Sequence, residues 1–163
     1  MKIRYEATTE IYYPYVRKHL GDNPLQNILT CGGSEAAVET ELLRHKELIY
    51  ENMFHYDGVG LSANQIGINE RAFIMMIDLE TKKTITCFNP KIIKESKELV
   101  IMEEGCLSYP ELFLDISRPS NIIVKYEDEG KNIIKIKLNG LIARVFQHEY
   151  DHMEGIDFTQ RTK

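Results

Sequence analysis

The sequence predicts an α+β fold, in which antiparallel sheets pack around a central helix containing HEYDH and one long helix lies in the N-terminal half. Two segments have the apolar spacing that is typical of amphipathic helices. Between them lie short apolar runs, partly alternating with polar residues and separated by turn-forming residues, as antiparallel strands require. The 163 residues fit one domain, predicted to span 1–163.

The composition excludes some classes of function. The net charge is −5 and the basic residues are dispersed among acidic ones, so the chain lacks the basic patch of a DNA-binding protein. It has no run of about 18 apolar residues and no N-terminal stretch resembling a signal peptide. We therefore expect a cytoplasmic protein that does not enter a membrane. Its three cysteines form no paired framework, so each is a buried thiol, a metal ligand or a catalytic thiolate.

The first helix is predicted to begin after Ser34, a residue suited to the N-cap position, and to end near Asp57 and Gly58. The segment that follows, GVGLSANQIG, is rich in glycine and is not expected to be regular helix. Apolar residues recur near helical spacing along the helix: Val38, Leu42, Ile49 and Met53.

The middle of the chain is predicted to form strands. The clearest pair is a hairpin of residues 121–126 and 132–138, whose arms flank the turn-forming sequence EDEG. Further strands are predicted at residues 71–79, 84–88, 92–93 and 99–101.

The second helix is predicted over LIARVFQHEYDHME, with Gly155 at its C-terminal cap. At about 100° per residue, one narrow stripe of this helix contains Leu141, Val145, His148 and His152. The two histidines are therefore expected to point toward the sheet.

The HExxH pattern in this helix has a specific chemical use. Histidines four residues apart lie on one helix face and can bind one metal ion. Glu149, which follows His148, can handle the proton of a water that the metal activates. The competing interpretation is that His148 and His152 are buried histidines that are hydrogen-bonded in the core.

A metal site of this kind needs a third protein ligand. In the longer motif HExxHxxGxxH, the third histidine would stand at the position of Phe158, which cannot bind a metal. A glutamate from a downstream helix is not expected, because the sequence ends at Lys163. The ligand is therefore expected upstream of the motif.

Cys106 is the strongest upstream candidate. It follows a glycine in EEGCLSYPE, a context that favours a bulge or loop facing a site, and Pro110 is expected to stop regular structure. A Cys-His-His set with water in the fourth position is an accepted catalytic arrangement. Of the other upstream donors, His45 and His55 are expected at the surface. Cys31 and Cys87 are expected to act as small apolar residues.

Three segments together resemble the signature motifs of the peptide deformylases, in the same order and with similar spacing. They are GVGLSANQIG at 58–67, EGCLS at 104–108 and QHEYDH at 147–152. The likeness extends from residue 52 to residue 158 and is to a compact form with a short C-terminal segment.

The resemblance implies a hydrolase that removes the N-formyl group from the initiator N-formylmethionine of nascent polypeptides and releases formate. It implies that Cys106, His148 and His152 bind one divalent metal ion. The ion would be Fe2+ in the cell, with Zn2+, Ni2+ or Co2+ able to take the same place. The partners would be N-formylmethionyl peptides or nascent chains, and transient association with the ribosome is compatible with that function.

The resemblance also assigns the chemical roles. A metal-bound water or hydroxide would attack the formyl carbon, with Glu149 as the general acid/base. Gln65 and the backbone N–H of Leu107 would stabilise the oxyanion. These assignments agree with the general requirement of amide hydrolysis for a strong nucleophile and for donors aimed at the oxyanion.

Methionine recognition would need an apolar pocket beside the metal. Val59, Leu141 and Val145 are candidates for its walls, although Leu and Val at helical spacing are more often ordinary core residues. Gly60 lacks a side chain, so a substrate backbone could approach it and pair like a strand. Ser62 stands where the family's first motif more often has alanine, a small polar change that we expect to be tolerated.

Two other functions fit the same residues. A general HExxH metallopeptidase would cleave internal peptide bonds, but the downstream ligand expected of it is missing. A catalytically silent module would bind formylated N-termini or a partner, although the joint presence of an acid/base, an amide and three ligand candidates favours a working site. Release of formate without internal cleavage would separate these alternatives.

Overall fold

The computed structural model describes residues 35–68, 70–106 and 108–162, without the side chains of residues 35–42 and 110. In chain order its elements are α1 (Glu35–His55), β1 (Gly60–Ser62), a 3-10 turn (Ala63–Ile66), β2 (Ala72–Asp78), β3 (Lys83–Glu95), β4 (Leu99–Cys106), β5 (Tyr109–Pro119), β6 (Asn121–Glu127), β7 (Ile133–Asn139), α2 (Gly140–Met153) and a second 3-10 turn (Phe158–Arg161). The predicted α+β fold with antiparallel sheets and two α-helices is confirmed for these residues.

The strands form two antiparallel sheets. Five of them pair in the order β1-β2-β3-β6-β7, and β4 pairs with β5 in a separate two-stranded sheet. The predicted hairpin is the β6–β7 pair, in which Val124 lies opposite Ile136. The predicted strands at 71–79 and 84–88 are β2 and the first part of β3.

Strand β2 separates two apolar clusters, because successive side chains of a strand point to opposite faces. Phe73 and Met75 belong to the cluster that contains residues of α2, among them Phe146. The rings of Phe73 and Phe146 meet edge to face, with centroids 5.1 Å apart. Ile74 lies on the opposite face, in the cluster that contains Ile49 and Met53 of α1. The large sheet therefore has a helix packed on each face.

Both helices end close to where the sequence predicted, and α2 also begins there. α1 ends at His55, and Asp57 adopts a left-handed φ of 56° in the turn that follows. α2 ends at Met153, and Gly155 has a φ of 73°, the backbone conformation that favours glycine after a helix. α2 contacts β1 and β2, which places the motif HEYDH against the segment GVGLSANQIG.

Two expectations for the middle of the chain are wrong. Residues 92–93 are not a separate strand but continue β3, which has register shifts where it pairs with β6. Strand β5 was not expected, because Pro110 was taken to stop regular structure. Cys106 pairs with Tyr109 and Gly105 pairs with Phe113, so Pro110 falls in a bulge of β5 where no ladder partner needs its missing N–H.

The predicted surface position of His45 is also wrong. This side chain is 1% exposed and its Nδ1 lies 2.9 Å from Oε1 of Glu70. His55 is exposed, as expected, and Cys87 is buried in the apolar cluster around Phe73. The predictions for Cys31, for the N-cap Ser34 and for the side chains of Val38 and Leu42 fall outside the described part of the chain. No described helix has the length and apolar character needed to cross a membrane.

Candidate functional site

The three predicted metal ligands meet in the interior of the molecule. Cys106 is the last residue of β4, and its sulfur lies 3.6 Å from Nε2 of His152 on α2. His148 lies one turn before His152, and the centroids of their rings are 4.9 Å apart. All three side chains are buried, and one ligand atom from each falls within 4.8 Å of the others. Two distant segments thus bring a sulfur and two imidazoles together.

The protonation of these donors suits a divalent metal. Burial lowers the pKa of His148 and lowers that of His152 well below its usual value, so both imidazoles are neutral near pH 7. Burial raises the pKa of the Cys106 thiol to about 12. A bound cation reverses that preference and holds the sulfur as a thiolate. One thiolate and two neutral imidazoles are a donor set suited to Zn2+ or Fe2+, so the residues fit the ion that the resemblance implies.

Glu104 holds the ring of His148. Oε2 of this carboxylate lies 3.0 Å from Nδ1 of His148. Because an ionised carboxylate can only accept, Nδ1 carries the hydrogen. Burial alone would raise the pKa of Glu104, but hydrogen bonds from His148 and Arg118 outweigh it and hold the pKa far below its usual value. A carboxylate bonded to the other ring nitrogen fixes the tautomer and orientation of a metal-binding histidine.

A buried ionic network surrounds Glu104. Arg118 donates to both of its oxygens, from Nε at 2.7 Å and from Nη2 at 3.0 Å, and Arg144 donates to Oε1 at 2.8 Å. Arg118 also donates from Nη1 to Asp151 at 2.6 Å, and Arg161 donates to the same carboxylate. The network ties β4, β5 and α2 together behind the histidines. Sequence reasoning assigned no role to it, although the preference of metal-binding histidines for a carboxylate partner offered a signal for Glu104.

Glu149 lies in a different environment. It is 0% exposed, and its Oε2 accepts a hydrogen bond of 2.7 Å from the hydroxyl of Ser62. Its Oε1 has no hydrogen-bond partner among the described residues. Burial raises the pKa of Glu149 to about 8. A Cβ atom added to Gly60 would lie 2.6 Å from Oε1, so β1 approaches this carboxylate as closely as it does because residue 60 is glycine.

Gln65 has one end fixed and one end unpaired. The backbone N–H of Ser62 lies 2.5 Å from Oε1 of Gln65. Because that N–H can only donate, the amide oxygen must face it, and Nε2 is the opposite end. Nε2 is buried without a hydrogen-bond partner among the described residues. The 3-10 turn that follows β1 therefore presents an amide donor that no described residue pairs.

The remaining predicted residues vary in burial. Val145 is 1% exposed and packs in the apolar cluster with Phe146, while Val59 and Leu141 are partly buried at the edge of that cluster. Gly60 is buried in β1. Phe158 is buried with its ring 6.0 Å from that of His148, an apolar contact where the longer motif would have a ligand. Leu107 lies outside the described residues.

Comparison with known proteins identifies relatives of the chain. The family model of polypeptide deformylase matches residues 29–163. A peptide deformylase of Thermotoga neapolitana is 43% identical over 122 residues, which cover 75% of this chain and 73% of that protein. A crystal structure of a probable peptide deformylase from Synechococcus phage S-SSM7 has a TM-score of 0.72 at 39% identity, covering 76% of this chain and 84% of that one.

A wider structural match comes from the peptide deformylase of Thermotoga maritima. It has a TM-score of 0.68 at 32% identity and covers 99% of this chain and 89% of that one. Sequence alignments with three further Thermotoga relatives cover a smaller share, 65% of each relative's length. The family model and these relatives together show that the chain belongs to the polypeptide deformylase family of hydrolases.

Proposed function

We propose that this chain removes the formyl group from N-formylmethionyl peptides and releases formate. The observation that carries the proposal is the meeting of three buried donor side chains, Cys106, His148 and His152, on the helix face and strand end next to Glu149. A buried carboxylate with an unpaired oxygen beside a set of metal donors suits hydrolysis of an amide. Membership of the polypeptide deformylase family supports the same reaction.

Cys106, His148 and His152 would hold one divalent metal ion. When bound, the ion would act as a Lewis acid and make a water molecule acidic enough to attack near neutral pH. Because Nδ1 of His148 bonds to Glu104, we assign Nε2 as its metal-binding nitrogen. On the strength of the resemblance we propose Fe2+ as the native ion, and the same donors suit Zn2+, Ni2+ and Co2+.

Glu149 is proposed to move the proton. In the reaction the water oxygen joins the formyl carbon, the carbon–nitrogen bond breaks, and a proton goes to the amine nitrogen that leaves. Oε1 of Glu149 would accept the proton of the water and later donate it to that nitrogen. Nε2 of Gln65 would donate a hydrogen bond to the formyl oxygen as negative charge builds on it. By resemblance, the backbone N–H of Leu107 would be a second donor to that oxygen.

The substrate is proposed to be a peptide that begins with N-formylmethionine. A relative from Acinetobacter baumannii, 30% identical with a TM-score of 0.69, has been solved with Met-Ala-Ser bound. That tripeptide is what deformylation of formyl-Met-Ala-Ser would leave. Val59, Leu141 and Val145 stay the proposed walls of the methionine pocket, and Gly60 stays the proposed site of backbone pairing.

We further propose that residues 1–163 form one catalytic domain that acts in the cytoplasm, on peptides or on nascent chains during transient contact with the ribosome. Strand β2 contributes side chains to both apolar clusters. This supports a single domain, because the two clusters could not be separated without removing β2 residues from one of them. The dispersed charge of −5 supports a protein that binds no DNA.

The test is formate release from formyl-Met-Ala-Ser by protein prepared anaerobically with Fe2+, with the peptide products identified by mass. We expect formate and intact Met-Ala-Ser. Cys106→Ser should lose both metal and formate release. Cys87→Ser is the matched control, because Cys87 is also a buried thiol but lies on β3, outside the donor set. It should keep both properties.

Other outcomes would point elsewhere. A metal-loaded protein that releases no formate would exclude the proposed reaction, and cleavage between methionine and alanine would indicate a general peptidase. Binding of the formylated peptide without turnover would indicate a silent module. Cys106→Asp should keep the fold while weakening metal binding or changing the preferred ion, because a hard carboxylate replaces a soft thiolate. Unchanged metal content and activity in that variant would show that Cys106 is not a ligand.

A further inference from the structure

We propose that the hydroxyl of Ser62 is a positioning group that aims the carboxylate of Glu149 at the substrate and its water. The inference rests on the proposed function and deepens it, since it names the residue that orients the proton-transferring group. Ser62 is 0% exposed, and its Oγ lies 2.7 Å from Oε2 of Glu149. This is the one hydrogen bond made to that carboxylate among the described residues.

The direction of this hydrogen bond follows from its two acceptors. The hydroxyl has a single hydrogen, and both the carboxylate Oε2 at 2.7 Å and the backbone oxygen of Glu149 at 3.2 Å lie within reach. Oε2 is the closer acceptor, and the backbone oxygen lies beyond the usual distance for an O–H···O hydrogen bond. The hydrogen is therefore assigned to Oε2, and the backbone oxygen is a secondary contact.

Such a contact helps a glutamate side chain to present one oxygen reproducibly. The last torsion of glutamate has a broad energy profile, so packing alone fixes the carboxylate plane poorly. The Ser62 hydroxyl fixes Oε2, and Gly60, which has no side chain, leaves room for Oε1 beside β1. The oxygen that has no partner is then the one left to exchange a proton. Proton transfer is sensitive to such placement, because a donor and an acceptor must come within hydrogen-bonding distance.

Ser62 also acts through its backbone, and the two contacts can be separated by mutation. Its N–H donates to Oε1 of Gln65 and orients the amide that is proposed to face the oxyanion. Replacing Ser62 by alanine removes the hydroxyl and leaves this N–H in place. The variant Ser62→Ala therefore tests the contact with Glu149 without removing the contact with Gln65.

The experiment compares kcat, KM, metal content and melting temperature of Ser62→Ala with those of the wild type, using formyl-Met-Ala-Ser. We expect kcat to fall about tenfold, which is part of the roughly 10²–10⁴-fold rate enhancement that a positioned acid/base contributes. KM and metal content should stay unchanged. A crystal structure of the variant should show Glu149 in more than one conformer, a readout that does not depend on turnover.

The matched control is Thr86→Val. Thr86 is 4% exposed and its hydroxyl donates to Oε1 of Glu129 at 2.8 Å, so this variant also loses a buried hydroxyl that bonds to a carboxylate. Thr86 lies on β3 and its partner lies in the β6–β7 turn, outside the proposed site. The control should change the melting temperature about as much as Ser62→Ala does and leave kcat unchanged.

Three outcomes would count against the positioning role of Ser62 or against the proposed function. If Ser62→Ala keeps the wild-type kcat, the hydroxyl does not position Glu149. If it loses metal, or if Thr86→Val lowers kcat equally, the effect is one of general stability and the proposal is wrong. If the wild-type enzyme itself releases no formate, the proposed function fails, and the conformers of Glu149 in the two crystal structures still decide whether Ser62 orients it.

Discussion

Glu104 and Glu149 are both neighbours of His148, one bonded to its ring and the other next to it in sequence, and both are 0% exposed. Their surroundings nevertheless differ. Glu104 accepts hydrogen bonds from Arg118, Arg144 and His148, and its pKa is held far below the usual value. Among the described residues the carboxylate of Glu149 has one hydrogen-bond partner, the hydroxyl of Ser62, and none at Oε1, and burial raises its pKa to about 8.

The difference suits the two carboxylates to the separate tasks proposed for them. A carboxylate surrounded by cations stays ionised and fixed, which suits it to orient a histidine ligand. A carboxylate with few partners can change its protonation during a reaction, which suits it to acid/base work. Burial alone does not decide the role, because the two residues are equally buried.

The largest expected effect comes from removing the main cation beside Glu104. Arg118→Met should lower the free energy of unfolding by about 3–5 kcal/mol, because it leaves Glu104 and Asp151 buried with fewer partners. Denaturant unfolding of the metal-free protein measures this. Arg71→Met is the control, since Arg71 pairs with Glu154 at the surface and should cost about 1 kcal/mol or less. A similar, small loss in both variants would mean that the buried network does not stabilise the fold.

The second expected effect concerns the space beside Glu149. In Gly60→Ala the added methyl would meet Oε1 of Glu149 at 2.6 Å. The end of a flexible side chain can move at little cost to stability, but a displacement of the reacting group by about 1 Å can lower turnover about 10²-fold. We expect kcat to fall and metal content to stay constant.

The control for Gly60→Ala is Gly130→Ala. A methyl at Gly130 would lie 2.7 Å from Nδ2 of Asn132, the end of an exposed side chain in the β6–β7 turn. It introduces a similar close contact far from the proposed chemistry, so kcat should be normal. Normal turnover in Gly60→Ala as well would refute the claim that β1 constrains the acid/base.

A smaller effect is expected from removing the charge of Glu104. Glu104→Gln keeps the shape of the side chain but loses its charge, so the ring of His148 should be held less firmly. Loss of such a partner typically lowers metal affinity about 10–100-fold. Competition with a chelator measures the metal Kd. The exposed neighbour Glu103→Gln is the control, and equal affinities in the two variants would remove Glu104 from the account.

Local patterns in the sequence predicted much of the fold. Apolar spacing predicted both helices, and the β6–β7 hairpin followed from alternation on either side of a turn. Strand β5 was missed because a single proline was read as a stop, whereas the bulge around Pro110 accommodates it. The surface position predicted for His45 is wrong because its partner Glu70 lies 25 residues away in sequence, beyond the reach of a local pattern.

The site was less predictable beyond its motifs. Spacing singled out His148 and His152, local context made Cys106 the strongest upstream candidate, and the resemblance to the deformylases supplied the full set. The contacts that distinguish the two carboxylates are long-range: the bond from Glu104 to His148 spans 44 residues, and that from Ser62 to Glu149 spans 87. No local pattern encodes such pairs, because they depend on how β1, β4 and α2 pack together.

The acid/base role of Glu149 is tested most directly by measuring metal content and formate release of Glu149→Gln beside the wild type. We expect the variant to keep the fold and the metal of the wild type and its turnover to fall about 10²–10⁴-fold, because the ligands are intact while the proton carrier is gone. A variant that binds metal and releases formate at nearly the wild-type rate would contradict the assignment of acid/base chemistry to Glu149.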